Sequence, residues 1–397
     1  MPQPAPPLSS DWRSSVSAPH LLADMKFAPL VMSCLLPAAA LAWTQGCISK
    51  PVGFGYKTTG GTGGRTVVPT SPAELKQYLS STETLIIDLD RTYDFTQLEG
   101  SKTENGCWYN QCGSGPQKSL SLYNACAGRS TTSVTYSVAG SRTLELVIGS
   151  NKTIRSSNGK GVIKGKGVTF KKSKNVIFRD ITISDINPQV IWGGDAIVLN
   201  GATDIWIHRC TIRNIGRQFL VTYVEQNVGI TVSSCLFDGN TQYSAYCDKT
   251  HFWLWLFWGT HDEITLINNR VVNVSGRCPH AGGQSSSSKN LIHMIGNEMD
   301  TNHHLGIEPN KGGIILAEGN KFIDYSQVID TKATGGTLAI PSTAADAAKC
   351  QAYFKQNCKA NVYQGTTAPS RMDLAVLDAF SKLDLTAVNG ARAAACE

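Results

Sequence analysis

VIFRDITI (176–183), IWIHRCTI (205–212), ITVSSCLF (230–237), ITLINNRV (264–271), IHMIGNEM (292–299) and ILAEGNKF (315–322) can be laid over one another as a single repeated octet. Their starts lie 29, 25, 34, 28 and 23 residues apart. Alternation inside each octet turns its aliphatic side chains to one face. A constant apolar frame at irregular spacing predicts a parallel β-helix, in which each coil repeats and loops of variable length leave one side. The sixth position reads Ile181, Cys210, Cys235, Asn269, Asn297, Asn320. Equivalent positions on neighbouring coils stack about 4.8 Å apart, so the Asn side chains are expected to bond one another along the axis. The same stacking sets Cys210 over Cys235 with parallel Cβ vectors, which favours two buried thiols over a disulfide. A β-sandwich would need hairpins with Asn-Gly or Asp-Gly turns at short intervals, and few occur.

Outward from the octets the pattern changes. Residues 72–80 (PAELKQYLS) read as a short helix suited to cap the open N-terminal end of a solenoid. Beyond 324 the repeat fades, residues 331–370 turn rich in Ala, Thr, Gly and Lys, and 371–384 read as an amphipathic helix packed outside the solenoid.

The whole chain has 397 residues, 41% of them hydrophobic and 17% charged. That length supports a sizeable core, and the composition excludes a disordered protein. Its net charge of +6, with no Lys/Arg stripe, argues against nucleic-acid binding. No apolar run reaches the roughly 18 residues that span a bilayer. Met25-Lys26, the apolar run Phe27–Leu36 and the small residues up to Ala42 read as a secretory signal peptide, with cleavage expected after Ala42. Residues 1–24 then read as a disordered upstream extension, 25–42 as the signal, 43–330 as the β-helix domain and 331–397 as a tail with a short helix. Export makes disulfides expected among the eleven cysteines left of twelve. Asn151-Lys152-Thr153 and Asn273-Val274-Ser275 are glycosylation sequons.

Four strings carry chemistry-bearing residues. They are Trp192-Gly193-Gly194-Asp195-Ala196-Ile197, Ile215-Gly216-Arg217-Gln218, Tyr243-Ser244-Ala245-Tyr246-Cys247-Asp248 followed by His251-Phe252-Trp253, and Ser275-Gly276-Arg277-Cys278-Pro279-His280. With the β-helix frame and the signal peptide, these resemble the fungal-type pectin lyases of polysaccharide lyase family 1, from about residue 47 to 330. The resemblance implies an all-β, right-handed, single-stranded parallel β-helix, secreted and monomeric. It implies β-elimination in methyl-esterified polygalacturonan, with no cofactor and pectin as the only partner.

In that reaction the proton on C5 leaves, the C4 oxygen is expelled, and an enolate-like charge grows on the carboxyl group. Cations aimed at that charge lower the barrier. By resemblance Arg277 is the base, Arg217 and His280 hold and polarise the carboxyl ester, and Asp195 orients Arg217. An arginine base demands an unusual environment, since its ordinary pKa exceeds 12. By resemblance Trp192, Phe252 and Trp253 line the substrate groove. Pectate lyases of the same family hold Ca²⁺ with an Asp at the place of Asp195 and an acidic pair four residues apart. Here that stretch, Arg217 to Val221, is RQFLV, so a guanidinium takes the ion's place and no metal is expected.

The chain departs from the family pattern at His280, where Lys is common, and at Trp206-Ile207-His208-Arg209, where Trp-Ile-Asp-His is usual. Trp258 also interrupts a region that is usually more polar. Two further readings follow: a pectin-binding protein with weak or no turnover, or a calcium-dependent pectate lyase. A polygalacturonase-like hydrolase would need paired carboxylates, and neither Asp-Asp nor Gly-His-Gly occurs. The resemblance implies the disulfides Cys107–Cys126, Cys112–Cys247 and Cys350–Cys358. It leaves Cys47, Cys210, Cys235, Cys278 and Cys396 unassigned, with Cys278 expected as a thiol beside the active site.

Overall fold

The computed structural model describes residues 47–112, 115–141, 145–285, 287–300 and 304–395. The expected extension and signal peptide, and Cys396, lie outside these residues.

Three sheets of 11, 9 and 7 strands, parallel but for the last strand of the first, wind as a right-handed parallel β-helix. The octets fall into register as their pattern requires. Val176, Ile205, Ile230, Ile264, Ile292 and Ile315 are successive partners across the first sheet. Ile183, Ile212, Phe237, Val271, Met299 and Phe322 are successive partners across the second. All twelve are essentially buried in one continuous core. Between these sheets runs the asparagine ladder. Asn269 Nδ2 donates to Asn297 Oδ1 at 2.9 Å, and Asn297 Nδ2 donates to Asn320 Oδ1 at 2.8 Å. Cys235 joins the stack, its backbone N–H donating to Asn269 Oδ1 at 3.0 Å. Cys210 and Cys235 are buried thiols.

The solenoid runs past the expected boundary at 330. Thr337–Ile340 extends the first sheet and Val362–Gln364 the second. Asn320 Nδ2 donates to Asn361 Oδ1 at 3.1 Å, lengthening the ladder by one member. An excursion with two short helices, Ala344–Ala348 and Gln351–Phe354, separates these strands and hides the repeat. The helix expected over 371–384 is shorter, Leu374–Ser381. Arg371–Met372 instead forms an antiparallel strand against Thr337–Ile340. A second helix, Leu385–Ala394, was not legible as amphipathic because alanines carry its packed face.

The helix Pro72–Ser80 begins at Ser71, whose side chain accepts from Glu74 N. Its Leu75 and Leu79 close the N-terminal end of the core. Residues 47–61 form a strap across the outer face of the first sheet. Phe54 N donates to Thr265 Oγ1, Gly55 N to Thr231 Oγ1, Gly60 N to Asn175 Oδ1 and Gly61 N to Thr153 Oγ1, each within 3.0 Å. The contact is close: a Cβ at Gly53 would lie 2.5 Å from Thr265 Oγ1. The last helix docks beside the strap through Arg392, whose Nε donates to the fully buried Glu318 at 2.8 Å. His293 Nε2 bonds the same Glu318 oxygen at 2.8 Å.

Antiparallel strand pairs occur at the terminal strand above and in an excursion of three strands, Ser101–Trp108, Lys118–Leu120 and Thr131–Ser137, with isolated antiparallel bridges at Asn240–Thr250 and Asn310–Gly335. Disulfides Cys107–Cys126 and Cys112–Cys247 tie that excursion together and to the third loop string, and Cys350–Cys358 closes the C-terminal one. Cys47 is also disulfide-bonded. Asn151 is exposed, whereas Asn273 is half-buried with its amide donating to Asn240 Oδ1.

Candidate active site

The third sheet positions the site. Its strands Ile197–Asn200, Leu220–Thr222, Trp255–Phe257, His280–Ala281 and Glu308–Pro309 are successive neighbours. Each is entered by a loop from the second sheet, and those loops carry the four strings. Asp195, Arg217, Trp253 and Arg277 each stand two or three residues before their strand, so coil stacking gathers residues far apart in sequence.

Asp195 and Arg217 form a buried ion pair, with side chains 1% and 5% exposed. One nitrogen, Arg217 Nη1, donates to both carboxylate oxygens at 3.2 and 3.0 Å. This is a single-nitrogen chelate rather than the two-nitrogen fork. Gln218 N donates to Asp195 Oδ1 at 2.8 Å, and Tyr223 OH lies 3.4 Å from Oδ2. The Trp192 ring lies over the guanidinium, centroid to Cζ 3.9 Å. Trp192 is partly exposed, so its ring covers Arg217 and still meets solvent.

Arg277 is 9% exposed, with its Cζ 4.8 Å from the Trp253 ring centroid. Its Nη1 has no hydrogen-bond partner among the described residues. Burial first, and the charge of Arg217 second, push the guanidinium down to about 10. Its backbone sits at φ +56°, the left-handed region that side chains disfavour. The peptide bond Cys278–Pro279 is cis. His280 Nδ1 bonds Glu308 Oε2 at 2.7 Å.

The structure brings Asp195, Arg217, Arg277, His280 and Trp192 to one face. It places Phe252 and Trp253 otherwise: both are buried, 4% and 2% exposed. Phe252 packs on Trp253 and Tyr246, and the Trp253 ring lies against the Arg277 guanidinium. The run of aromatics gave no sign of which ring faces which way. Cys278 also faces inward, fully buried within the core cluster, so it is no accessible thiol at the groove.

Two neighbours of these residues were given no role by the sequence. His251 Nε2 bonds the carbonyls of Arg217 and Trp253 at 2.8 and 3.1 Å while its ring stacks on Phe219. Burial pushes that imidazole down to about 4. Glu308 bridges Arg277 and His280. Extending the coil spacing one turn beyond His280 would have pointed to it, but Pro309 beside it masks the strand pattern.

A parallel β-helix whose third-sheet loops gather two buried arginines and one buried aspartate has the architecture of a β-helical polysaccharide lyase. A pectate lyase from a Bacillus species, in complex with trigalacturonate, shares the fold with a TM-score of 0.51 at 15% identity. The match covers 85% of this chain and all of that one. No family model matches the chain. A probable pectin lyase D from Aspergillus flavus and a pectin lyase 2 from Aspergillus oryzae are each 36% identical over 361 residues. Those matches span 90% of this chain and 94% of each relative. Pectin lyase B from Emericella nidulans is 35% identical over 351 residues, 87% of this chain and 90% of that one. The chain belongs to the pectin lyase family.

Proposed function

We propose that the protein is a secreted, monomeric pectin lyase that cleaves methyl-esterified (1→4)-α-D-galacturonan by calcium-independent β-elimination. The observation that carries this reading is Arg277, a buried guanidinium with an unpartnered Nη1 beside a second arginine. Desolvation and like charge lower the cost of its neutral form, which can accept a proton. At a pKa of about 10, roughly one site in a thousand is neutral at pH 7, a workable base when the proton is already weakened. Arg217 and His280 hold the ester carbonyl, and Asp195 fixes Arg217. As Arg277 takes the C5 proton, the electron pair forms the C4–C5 double bond and the C4–O4 bond breaks. The cations stabilise the charge on the carboxyl group, and the departing O4 takes a proton from water.

The surroundings suit an esterified chain. Val221 stands where the resemblance would place a calcium-binding acid, and it clusters with Val198, Leu256 and Trp258. Both Asp195 oxygens already bond the guanidinium. Calcium binding wants several carboxylate oxygens, and this wall offers hydrocarbon. Among the described residues no helix is long and apolar enough to cross a membrane.

The test is absorbance near 235 nm with highly methylated pectin in EDTA. A steady rise, which marks a 4,5-unsaturated uronate, supports the reading. Activity abolished by EDTA and restored by Ca²⁺ overturns calcium independence. Retained pectin binding with a flat trace overturns the lyase and leaves a binding protein.

A further inference from the structure

Glu308 stands opposite His280 in the register of the third sheet, one coil further along. It is 7% exposed. Its Oε1 accepts the backbone N–H of Arg277 at 3.0 Å and its Oε2 bonds His280 Nδ1 at 2.7 Å. One carboxylate therefore grips the two residues that flank the Cys278–Pro279 peptide. The first contact steadies a backbone at φ +56°, a conformation a bulky residue keeps only when its surroundings over-determine it. The second settles which imidazole nitrogen carries the proton. An ionised carboxylate only accepts hydrogen bonds, so Nδ1 must be the donor. His280 and Arg277 overcome the opposing effect of burial and hold Glu308 below the usual carboxylate range, keeping it ionised. Tyr246 and Asp330 are the other titratable groups that feel its charge.

We propose that Glu308 is a positioning residue that sets the reactive geometry through its neighbours, locking the left-handed Arg277 backbone and the Nδ1–H form of His280. The inference rests on the lyase reading of this groove. With Nδ1 committed to Glu308, Nε2 is the imidazole atom that can turn to substrate, in exchange for Asn310 Nδ2, which lies 3.3 Å from it. It donates to the ester oxygen when the ring is protonated and only accepts when the ring is neutral.

Glu308→Gln separates the two contacts. Its amide oxygen still accepts the Arg277 N–H, while its amide nitrogen donates to His280 Nδ1, which leaves a neutral ring whose Nε2–H can still reach the ester but without the positive charge that stabilises the growing enolate. The expected loss in kcat is about 10- to 100-fold, by analogy with the removal of partners that orient metal-bound histidines, with KM nearly unchanged. In the His280→Lys background the same substitution is expected to cost less than about threefold, because an ammonium keeps its charge and its donors beside either side chain. An equal loss in both backgrounds, or none in either, overturns the proposal. The second measurement is the ¹⁵N spectrum of the His280 ring in the full protein. It should show Nδ1–H in the wild type and Nε2–H in Glu308→Gln, and the same tautomer in both overturns the proposal even if the wild type makes no unsaturated product. That last result would overturn the lyase reading alone.

Discussion

The corner between the first and second sheets buries Asn269, Asn297, Asn320 and Asn361. The corner between the second and third buries Asp195, Arg217 and Arg277. The first is repetitive and self-sufficient. Asn297 uses its oxygen for the backbone and side-chain N–H groups of Asn269, and its amide for Leu266 O and Asn320 Oδ1. The second is irregular and incomplete. Among the described residues, Arg277 Nη1 and Arg217 Nε are buried without a hydrogen-bond partner. The same coil geometry thus serves opposite ends. Identical residues at each level satisfy one another and stabilise the stack. Different residues at each level leave capacity for a substrate to complete.

The sharpest way to break this contrast is Arg277→Ala. Product formation should fall by about 10³-fold, within the range for a lost general base, with the melting temperature held or raised. A fall in stability matching the fall in activity would mean that the second corner is structural too. The converse variant, Asn297→Leu, orphans the Asn269 N–H and Leu266 O. It should cost about 3 kcal/mol in denaturant unfolding, with kcat of the folded fraction unchanged. The smallest effect is in pH. His251 titrates at about 4 in the folded chain, below its unfolded value near 6.5. Its stabilising contribution is full above 6.5 and is lost as pH falls from 6.5 through 4. Between pH 7 and 5.5 this amounts to about 1 kcal/mol. Thermal melts should show a shallower acid slope in His251→Asn. The slope should stay unchanged in Asn297→Leu, because no ladder amide ionises.

The same contrast explains what the sequence disclosed. The repetitive corner was readable: six octets predicted the register of two sheets, the ladder and the stacked thiols Cys210 and Cys235. Where the repeat is interrupted, legibility fails. Thr337–Ile340 and Asn361 belong to the solenoid, but a helical excursion between them breaks the spacing. At the site, strings quoted whole located Asp195, Arg217, Arg277 and His280, because coil stacking fixes where a loop residue lands. Which way Phe252, Trp253 and Cys278 point depends on loop torsions that no periodicity encodes. Glu308 is an isolated acid beside a proline, and its contacts with Arg277 and His280 appear only once the next coil is laid over His280.

The strap of residues 47–61 changes how the stack can fail. In a simple solenoid each turn touches only the turns beside it, so the ends can peel away one at a time. Here a single stretch of backbone is laced to Thr265, Thr231, Asn175 and Thr153 in succession. It works like the spine of a book. No page can be pulled from the middle without loosening the binding, and the binding cannot lift without losing its hold on every page. The turns it crosses are thereby expected to melt together, the weakest of them borrowing the endurance of the strongest.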